Sequence, residues 1–355
     1  MGEEGTGGKK WTELMGLGRD PCRRLWARRS VTIPLYFILC GLMLSLTPVL
    51  FPLALIVDAL RSSKWAFVRM IVFLLLYFVC EVLGILASFM LWLLAGPYVS
   101  QDVERYLRKN FALQCWWART LAEGAFKLFS VRLEAEGLRD FRGRPILLFV
   151  RHASTADAVL PAMLIGVPQK IMLRYIIKRE LLVDPCLDIV GHRLPNYFVR
   201  RGSGEGAKEI ETIAQLMYDL SPGQGVLMYP EGTRFTAAKR EGILKRLEGS
   251  GDRDAVRRAR EMPHVLPPRL GGSLALLERN EGADAVFCVH TGLESTTSIG
   301  QLWRGGLVGS RVRVRFWVVP FEEIPKGRKA LSDWLWAEWA KVNAFLEESK
   351  GKEVC

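Results

Sequence analysis

Two apolar stretches near the amino end constrain this chain more than any other feature. Residues 31–60, VTIPLYFILCGLMLSLTPVLFPLALIVDAL, carry no charge before Asp58, and residues 65–96 carry only Arg69 and Glu81. About 20 apolar residues cross the hydrocarbon of a bilayer, and both stretches reach that length. Neither has the form of a cleaved signal: a polar stretch, residues 1–30, precedes the first, and no clean small-residue cleavage site follows it. Arg23, Arg24, Arg28 and Arg29 crowd the near side of the first stretch, which favours a cytoplasmic amino terminus. Two crossings then return the chain to the cytoplasm. Pro34, Pro48 and Pro52 leave a second topology open, a shallow re-entrant hairpin, and the second stretch is long enough to tilt or run along the interface. In either topology the chain is integral to the membrane and its remainder faces the cytoplasm.

Charge points the same way. The chain carries a net +12 with an isoelectric point near 9.5, so an anionic partner is expected. With a membrane hairpin in place, that partner is an anionic lipid or bilayer surface rather than nucleic acid. Glu81 reads as facing a neighbouring helix, or a helix break near Gly84, rather than as a proton relay. Seven cysteines lie scattered with no CxxC pair and no zinc-like spacing, which suggests neither a disulfide framework nor a metal site and fits a reducing compartment.

After the hairpin (31–97) and a helical connecting segment (98–130), the pattern changes. PILLFV (145–150), IMLRYII (171–177), GVLMYP (225–230), DAVFCVH (284–290) and RVRVRFWVV (311–319) read as strands. Helix-like stretches at 157–165, 205–220 and 270–279 lie between them. The expected fold is α/β: a mostly parallel, mixed sheet flanked by helices over 131–350, preceded by a transmembrane helical hairpin. Arg311, Arg313 and Arg315 alternate on one face of the last strand, which predicts an edge strand with a wet side. Leu331, Leu335, Trp339, Val342 and Leu346 recur at helical spacing and predict a core-packing helix over 330–347. Residues 239–262 are dense in charge of both signs. They read as a solvated helical excursion, with a basic flap against lipid headgroups as the sharper alternative.

Four constellations carry chemistry. In LFVRHASTADAV, His152 follows the first strand and Asp157 lies five residues on. Five residues diverge by about 140° on a continuous helix, so the two side chains meet only if His152 precedes the helix cap and Asp157 folds back from its first turn. That geometry is a general base with an orienting acid; a His and Asp that merely cap the helix is the plain alternative. YPEGTRFT places Glu231, Gly232, Thr233 and Arg234 after another strand, where glycine allows a tight turn and arginine offers a planar fork for phosphate. An ordinary turn with a Glu–Arg pair would read the same way. LPNYFVRRGSGEG ends an apolar patch in Arg200 and Arg201 and runs into glycines that lack the dinucleotide spacing. VLPPRLGGSLAL, 265–276, reads as a packing element.

Taken together and in this order, H-x4-D, an Arg-ended apolar patch and E-G-T-R resemble the glycerolipid acyltransferase family that includes the lysophosphatidate acyltransferases. The resemblance covers roughly residues 130–320. EGTRFT followed by LPPRLGG looks like the branch of long-chain lysophosphatidate and lysocardiolipin acyltransferases. Two departures stand out: Arg151 replaces the Asn that often precedes the His, which puts any backbone bracing by that side chain in doubt, and Arg200 occupies an acidic place. The family's last, proline-centred block has no clear equivalent near 286–292.

The resemblance implies an acyltransferase that moves a fatty acyl group from acyl-CoA or acyl carrier protein to the hydroxyl of lysophosphatidic acid or another lysophospholipid. His152 would be the base, Asp157 its orienting acid, and Arg201 and Arg234 the ligands of the acceptor phosphate. Glu231, with Gly232 and Thr233 in the same substrate-binding loop, would brace Arg234 or the loop. No cofactor or metal is implied. A membrane-tethered lipid-binding protein would need the positive charge but not His152. A hydrolase would release free fatty acid, and no G-x-S-x-G elbow is present.

Overall fold

The computed structural model describes residues 16–17, 19–61, 63–95, 102–154, 156–199, 206–294 and 299–351. Among them, β1 (Arg132–Glu136), β2 (Ile146–Val150), β3 (Met172–Lys178), β4 (Tyr197–Val199), β5 (Gln224–Met228), β6 (Asp284–Thr291) and β7 (Arg311–Val319) form one sheet. Its order is β1-β7-β6-β2-β5-β3-β4. Every neighbouring pair runs parallel except β6 and β7. Strand β2 lies at the centre, and all five of its residues are buried. It is ILLFV without alternation because helices cover both faces of the sheet.

The helices are α1 (Cys22–Arg61), α2 (Ala66–Ala95), α3 (Val103–Leu128), α4 (Pro185–Gly191), α5 (Gly206–Ala214), α6 (Ala237–Ser250), α7 (Arg253–Arg260), α8 (Leu270–Glu278) and α9 (Arg328–Gly351), besides shorter turns. On one face of the sheet Leu147, Phe149, Val226 and Phe287 pack with Leu276 of α8 and Leu335 and Trp339 of α9. On the other, Leu148, Val150, Leu227 and Cys288 pack with Leu160, Ile165 and Phe129, and with Met70 of α2. The stripe Leu331, Leu335, Trp339, Val342 and Leu346 is buried as its spacing predicts. Trp339 also donates its indole N–H to the Leu266 carbonyl at 3.0 Å.

Several expectations need correction. Strand β7 is not an edge: β1 pairs with it in parallel and takes the edge itself. The sequence RLEAE reads as polar because Glu134 and Glu136 are there to meet the arginines of β7, in the pairs Arg311–Glu134 at 3.3 Å and Arg315–Glu136. The three-residue β4 is too short to carry an alternation signal. The stretch 157–165 is not one α-helix but a 3-10 turn, Ala156–Val159, and a π-turn, Ala162–Gly166. The charged stretch 239–262 is the hairpin α6–α7. No residue of α6 is buried, and charges of opposite sign pair along it, as in Lys245–Glu241 and Arg260–Glu248.

The apolar hairpin is two helices, and the first begins at Cys22, well before residue 31. Pro34, Pro48 and Pro52 lie inside a helix assigned without a break, so the chain does not turn back at any of them. It turns after Arg61. Asp58, the one charged residue of 31–60, secures that turn by accepting the N–H of Phe67 at 3.1 Å and of Val68 at 2.9 Å, both in the first turn of α2.

Helix α2 then lies lengthwise on the α/β domain. Tyr77 donates to Asp184 at 2.9 Å, Trp117 of α3 donates to the buried Glu81 at 2.6 Å, and Arg193 donates to the Ser88 carbonyl at 2.8 Å. Glu81 therefore faces neighbouring helices, and α2 continues unbroken past Gly84. A Cβ at Gly84 would sit 2.5 Å from the Cys186 sulfur, so its absence lets α4 approach. The opposite face of α2, with Leu83, Leu86, Phe89 and Leu93, is exposed, as is most of the apolar surface of α1.

At its amino end α1 is tied down by charge. Arg28 and Arg29 both bond the fully buried Asp188 of α4, at 2.6 and 3.0 Å, and Arg28 also reaches Asp20 at 2.8 Å. Burial alone would raise the Asp188 pKa, but bonds from His192, Arg28 and Arg29 hold it well below the usual 3.8. A carboxylate held low stabilises the fold above its unfolded pKa and loses that contribution as pH falls. We therefore expect the start of α1 to loosen from α4 below about pH 4, seen as faster hydrogen exchange over residues 22–30. Asp188→Ala should mimic this at neutral pH. It should cost about 1–3 kcal/mol, less than the 3–5 typical of breaking a fully buried pair, because both guanidinium groups keep partial solvent access.

Candidate active site

The three central strands β6, β2 and β5 run parallel, so their carboxyl ends open on one edge of the sheet. Ligands in open α/β sheets collect there. His152 lies two residues beyond β2, the Tyr229–Arg234 loop follows β5, and His290 is the penultimate residue of β6.

The H-x4-D pair closes as its spacing requires. His152 Nδ1 lies 3.1 Å from Asp157 Oδ1 and 3.3 Å from Oδ2. Asp157 sits in the first turn of the short 3-10 helix, fully buried, and its Oδ2 accepts the backbone N–H of Ala153 and Ser154, each at 2.7 Å. A carboxylate that caps its own turn in this way is kept close to the imidazole. Burial would push the Asp157 pKa up. Bonds from His152 and His290 outweigh it and hold the acid well below the usual carboxylate range, so it stays ionised. With Nδ1 engaged, Nε2 is the ring atom that can take a proton. The ring keeps 14% of its side-chain surface exposed, enough for a reactant to touch, and rests on Tyr229 with centroids 4.5 Å apart.

The second motif is bolted to the first. The Phe235 N–H donates to the His152 carbonyl at 2.8 Å, and Arg269 N–H donates to the Pro230 carbonyl at 2.7 Å. Gly232 turns the loop at φ +64°, with its N–H on the Tyr229 carbonyl at 2.9 Å. The Arg269 side chain crosses directly over it: a Cβ at Gly232 would lie 2.7 Å from Arg269 Cδ. Thr233 is buried, and Lys239 Nζ donates both to its hydroxyl and to the Arg234 carbonyl, each at 3.1 Å. Arg234 is half-buried on the outer arm of the loop. Glu231 is fully buried and turns inward. Neither of its oxygens takes a hydrogen bond from Arg234, so it does not brace that arginine as one expectation had it. Burial raises its pKa well above the usual range, opposed by the charge of Arg151 and reinforced by that of Asp157. Arg200 and Arg201 lie outside the described residues.

Two residues at this edge were not assigned from sequence. Arg151, in the place where an Asn was expected, does brace backbone: its Nη1 donates to the His290 carbonyl and to Glu294, each at 2.6 Å. His290 comes within 3.5 Å of Asp157 Oδ2. The only sequence signal for it was a histidine near the end of an otherwise apolar strand.

With this geometry in place, comparison with known proteins is informative. Residues 132–269 match the Acyltransferase family. The segment that holds the site is thus similar to acyltransferases. Relatives include 1-acyl-sn-glycerol-3-phosphate acyltransferase delta of Homo sapiens and of Pongo abelii, each 25% identical over 177 residues. The match covers 48% of this chain and 44% of each relative, so it spans less than half of their length. Among solved structures, the 1-acyl-sn-glycerophosphate (LPA) acyltransferase PlsC of Thermotoga maritima matches with a TM-score of 0.48 and 16% identity, over 79% of this chain and 98% of that one. The family segment runs from β1 to the Arg269 that crosses Gly232, and so contains both His152–Asp157 and the E-G-T-R loop. His290 lies beyond it.

Gly232 gives the sharpest local test of this geometry. Gly232→Ala should cost about 1–3 kcal/mol in backbone strain alone, and it should also displace Arg269. The expected result is a protein that folds with a lowered thermal midpoint, measured by thermal denaturation.

Proposed function

We propose that this protein transfers a fatty acyl group from the thioester of acyl-CoA or acyl carrier protein to the free hydroxyl of lysophosphatidic acid, forming phosphatidic acid. His152 Nε2 takes the hydroxyl proton as the oxygen attacks the thioester carbonyl. The new C–O ester bond forms, the C–S bond breaks, and the proton passes on to the departing thiolate. Asp157 keeps the imidazole in the tautomer that accepts at Nε2 and balances the imidazolium. Arg234 and Arg201 hold the acceptor phosphate, which places the hydroxyl against the base and turns an encounter into a nearly intramolecular step.

The observation that supports this reading is the direct backbone bond between the two motifs, Phe235 N–H to the His152 carbonyl, because it ties the Glu231–Arg234 loop to the His152 turn. The lysophosphatidate relatives support the choice of acceptor, and a different lysophospholipid is the alternative. A purely lipid-binding protein would have no use for a buried carboxylate aligned on a partly exposed imidazole. The apolar hairpin keeps the domain beside the lipid layer from which acceptor and product partition. We place the domain on the cytoplasmic face, supported by Arg23 and Arg24 at the start of α1. A reporter fused at either end and read as non-cytoplasmic would reverse that sidedness.

His152→Ala should lower acyl transfer by at least about 10²–10⁴-fold while the protein still folds and inserts. Arg234→Ala should raise the lysolipid KM about 10- to 100-fold with little change for the donor, and Arg234→Lys should recover only part. Product analysis by mass spectrometry across a panel of lysolipids tests the acceptor. Unchanged turnover in His152→Ala removes the catalytic assignment, and an effect of Arg234→Ala on the donor KM alone moves the arginine to the phosphates of the donor.

A further inference from the structure

Strand β6 outruns its neighbour β2. Their register pairs Val150 with Cys288, so the residue two places on, His290, stands level with His152. Alternation puts His290 on the same face as Val286 and Cys288, the face that the 153–157 turn covers. There it is fully buried. Its Nε2 lies 3.1 Å from the Arg151 carbonyl and 3.5 Å from Asp157 Oδ2. A carbonyl only accepts, so Nε2 must carry the ring proton. Arg151 and His290 thus hold each other twice, side chain to backbone in both directions.

The two oxygens of Asp157 are consequently unequal. Oδ2 takes the N–H of Ala153 and of Ser154 and faces His290, whereas Oδ1 is the nearer oxygen to His152. A carboxylate torsion is broad and two-fold when left to itself. We propose that His290 is a positioning residue for the His152–Asp157 pair: its ring, anchored by the Nε2–H bond to the Arg151 carbonyl and standing 3.5 Å from Asp157 Oδ2, keeps that oxygen in place so that Oδ1 is presented to His152. It touches no reactant. The chain therefore draws its orienting acid from one motif and the anchor of that acid from a strand about 130 residues later.

The activity readout rests on the acyl-transfer reading, and wild-type turnover tests that reading first. His290→Leu should lower kcat about 10- to 100-fold with the lysolipid KM within about 2-fold, by analogy with the loss of hydrogen-bonding partners behind metal-bound histidines. His290→Gln, whose amide can reach where Nε2 was, should keep most of the activity, and His290→Asn, whose amide falls short, should not. In an Asp157→Asn background His290→Leu should add little, because its effect passes through Asp157. If the Leu variant fails to fold, the Gln and Asn pair, both polar and similar in bulk, still decides. Equal activity of Gln and Asn, wild-type kcat in the Leu variant, or fully additive losses with Asp157→Asn would each overturn the proposal. A readout independent of turnover is ¹⁵N-histidine labelling, since the chain has only four histidines. His290 should show a protonated Nε2 and a bare Nδ1, and the reverse tautomer would overturn the assignment even in a chain that transfers no acyl group.

Discussion

The structure of the site depends on making one buried carboxylate tolerable. Asp157 has no solvent to stabilise its charge, and an isolated ion in that position would protonate rather than stay ionised. Four groups prevent this: two backbone N–H donors from its own turn, His152 on one oxygen and His290 beside the other. Each has a structural consequence. The backbone donors require a tight 3-10 turn where an ordinary helix would otherwise begin. The histidines require β2 and β6 to end at one edge in a register that sets residues 152 and 290 level.

The same logic operates where the hairpin meets the domain. An apolar helix in contact with lipid gains little from packing specificity, since lipid is as apolar as its own side chains. Orientation must come from polar contacts, and here they are few and placed along one face of α2. Asp58 closes the turn, Tyr77 and Glu81 bond to residues around α4 and α3, and Asp188 gathers two arginines from the start of α1. Arg28 and Arg29, which in sequence look like free topogenic charge, are partly committed to this inner ion pair. The remaining basic residues there, Arg23 and Arg24, are exposed.

Much was legible in the sequence because it is written in short-range chemistry. Five strands, the core stripe of α9 and the turn residues around Gly232 follow from periodicity and local backbone preference, and all lie within a residue or two of their expected places. The elements that escaped depend on partners distant in the chain. Strand β1 looks like a polar connector until β7 supplies arginines for its glutamates, and β7 looks like an edge until β1 covers it. Glu231 looks like a partner for Arg234, three residues away, until burial takes its carboxylate away from that side chain.

The division between the two kinds of information is clearest at the site. Sequence alone determined that an imidazole and a carboxylate stand five residues apart at a strand end, that a glycine–arginine loop follows another strand, and that an apolar hairpin precedes both. These are properties of neighbours in the chain, and spacing constrains neighbours tightly. Only the tertiary structure decided that the two motifs share a backbone bond, that Arg151 and His290 clasp each other, and that the second histidine reaches the acid. Those contacts join residues separated by about 80 to 140 positions, and their distances are set by sheet order and strand register. Order and register are chosen by the burial of whole faces, a free energy summed over many side chains, and no local pattern of residues encodes that sum.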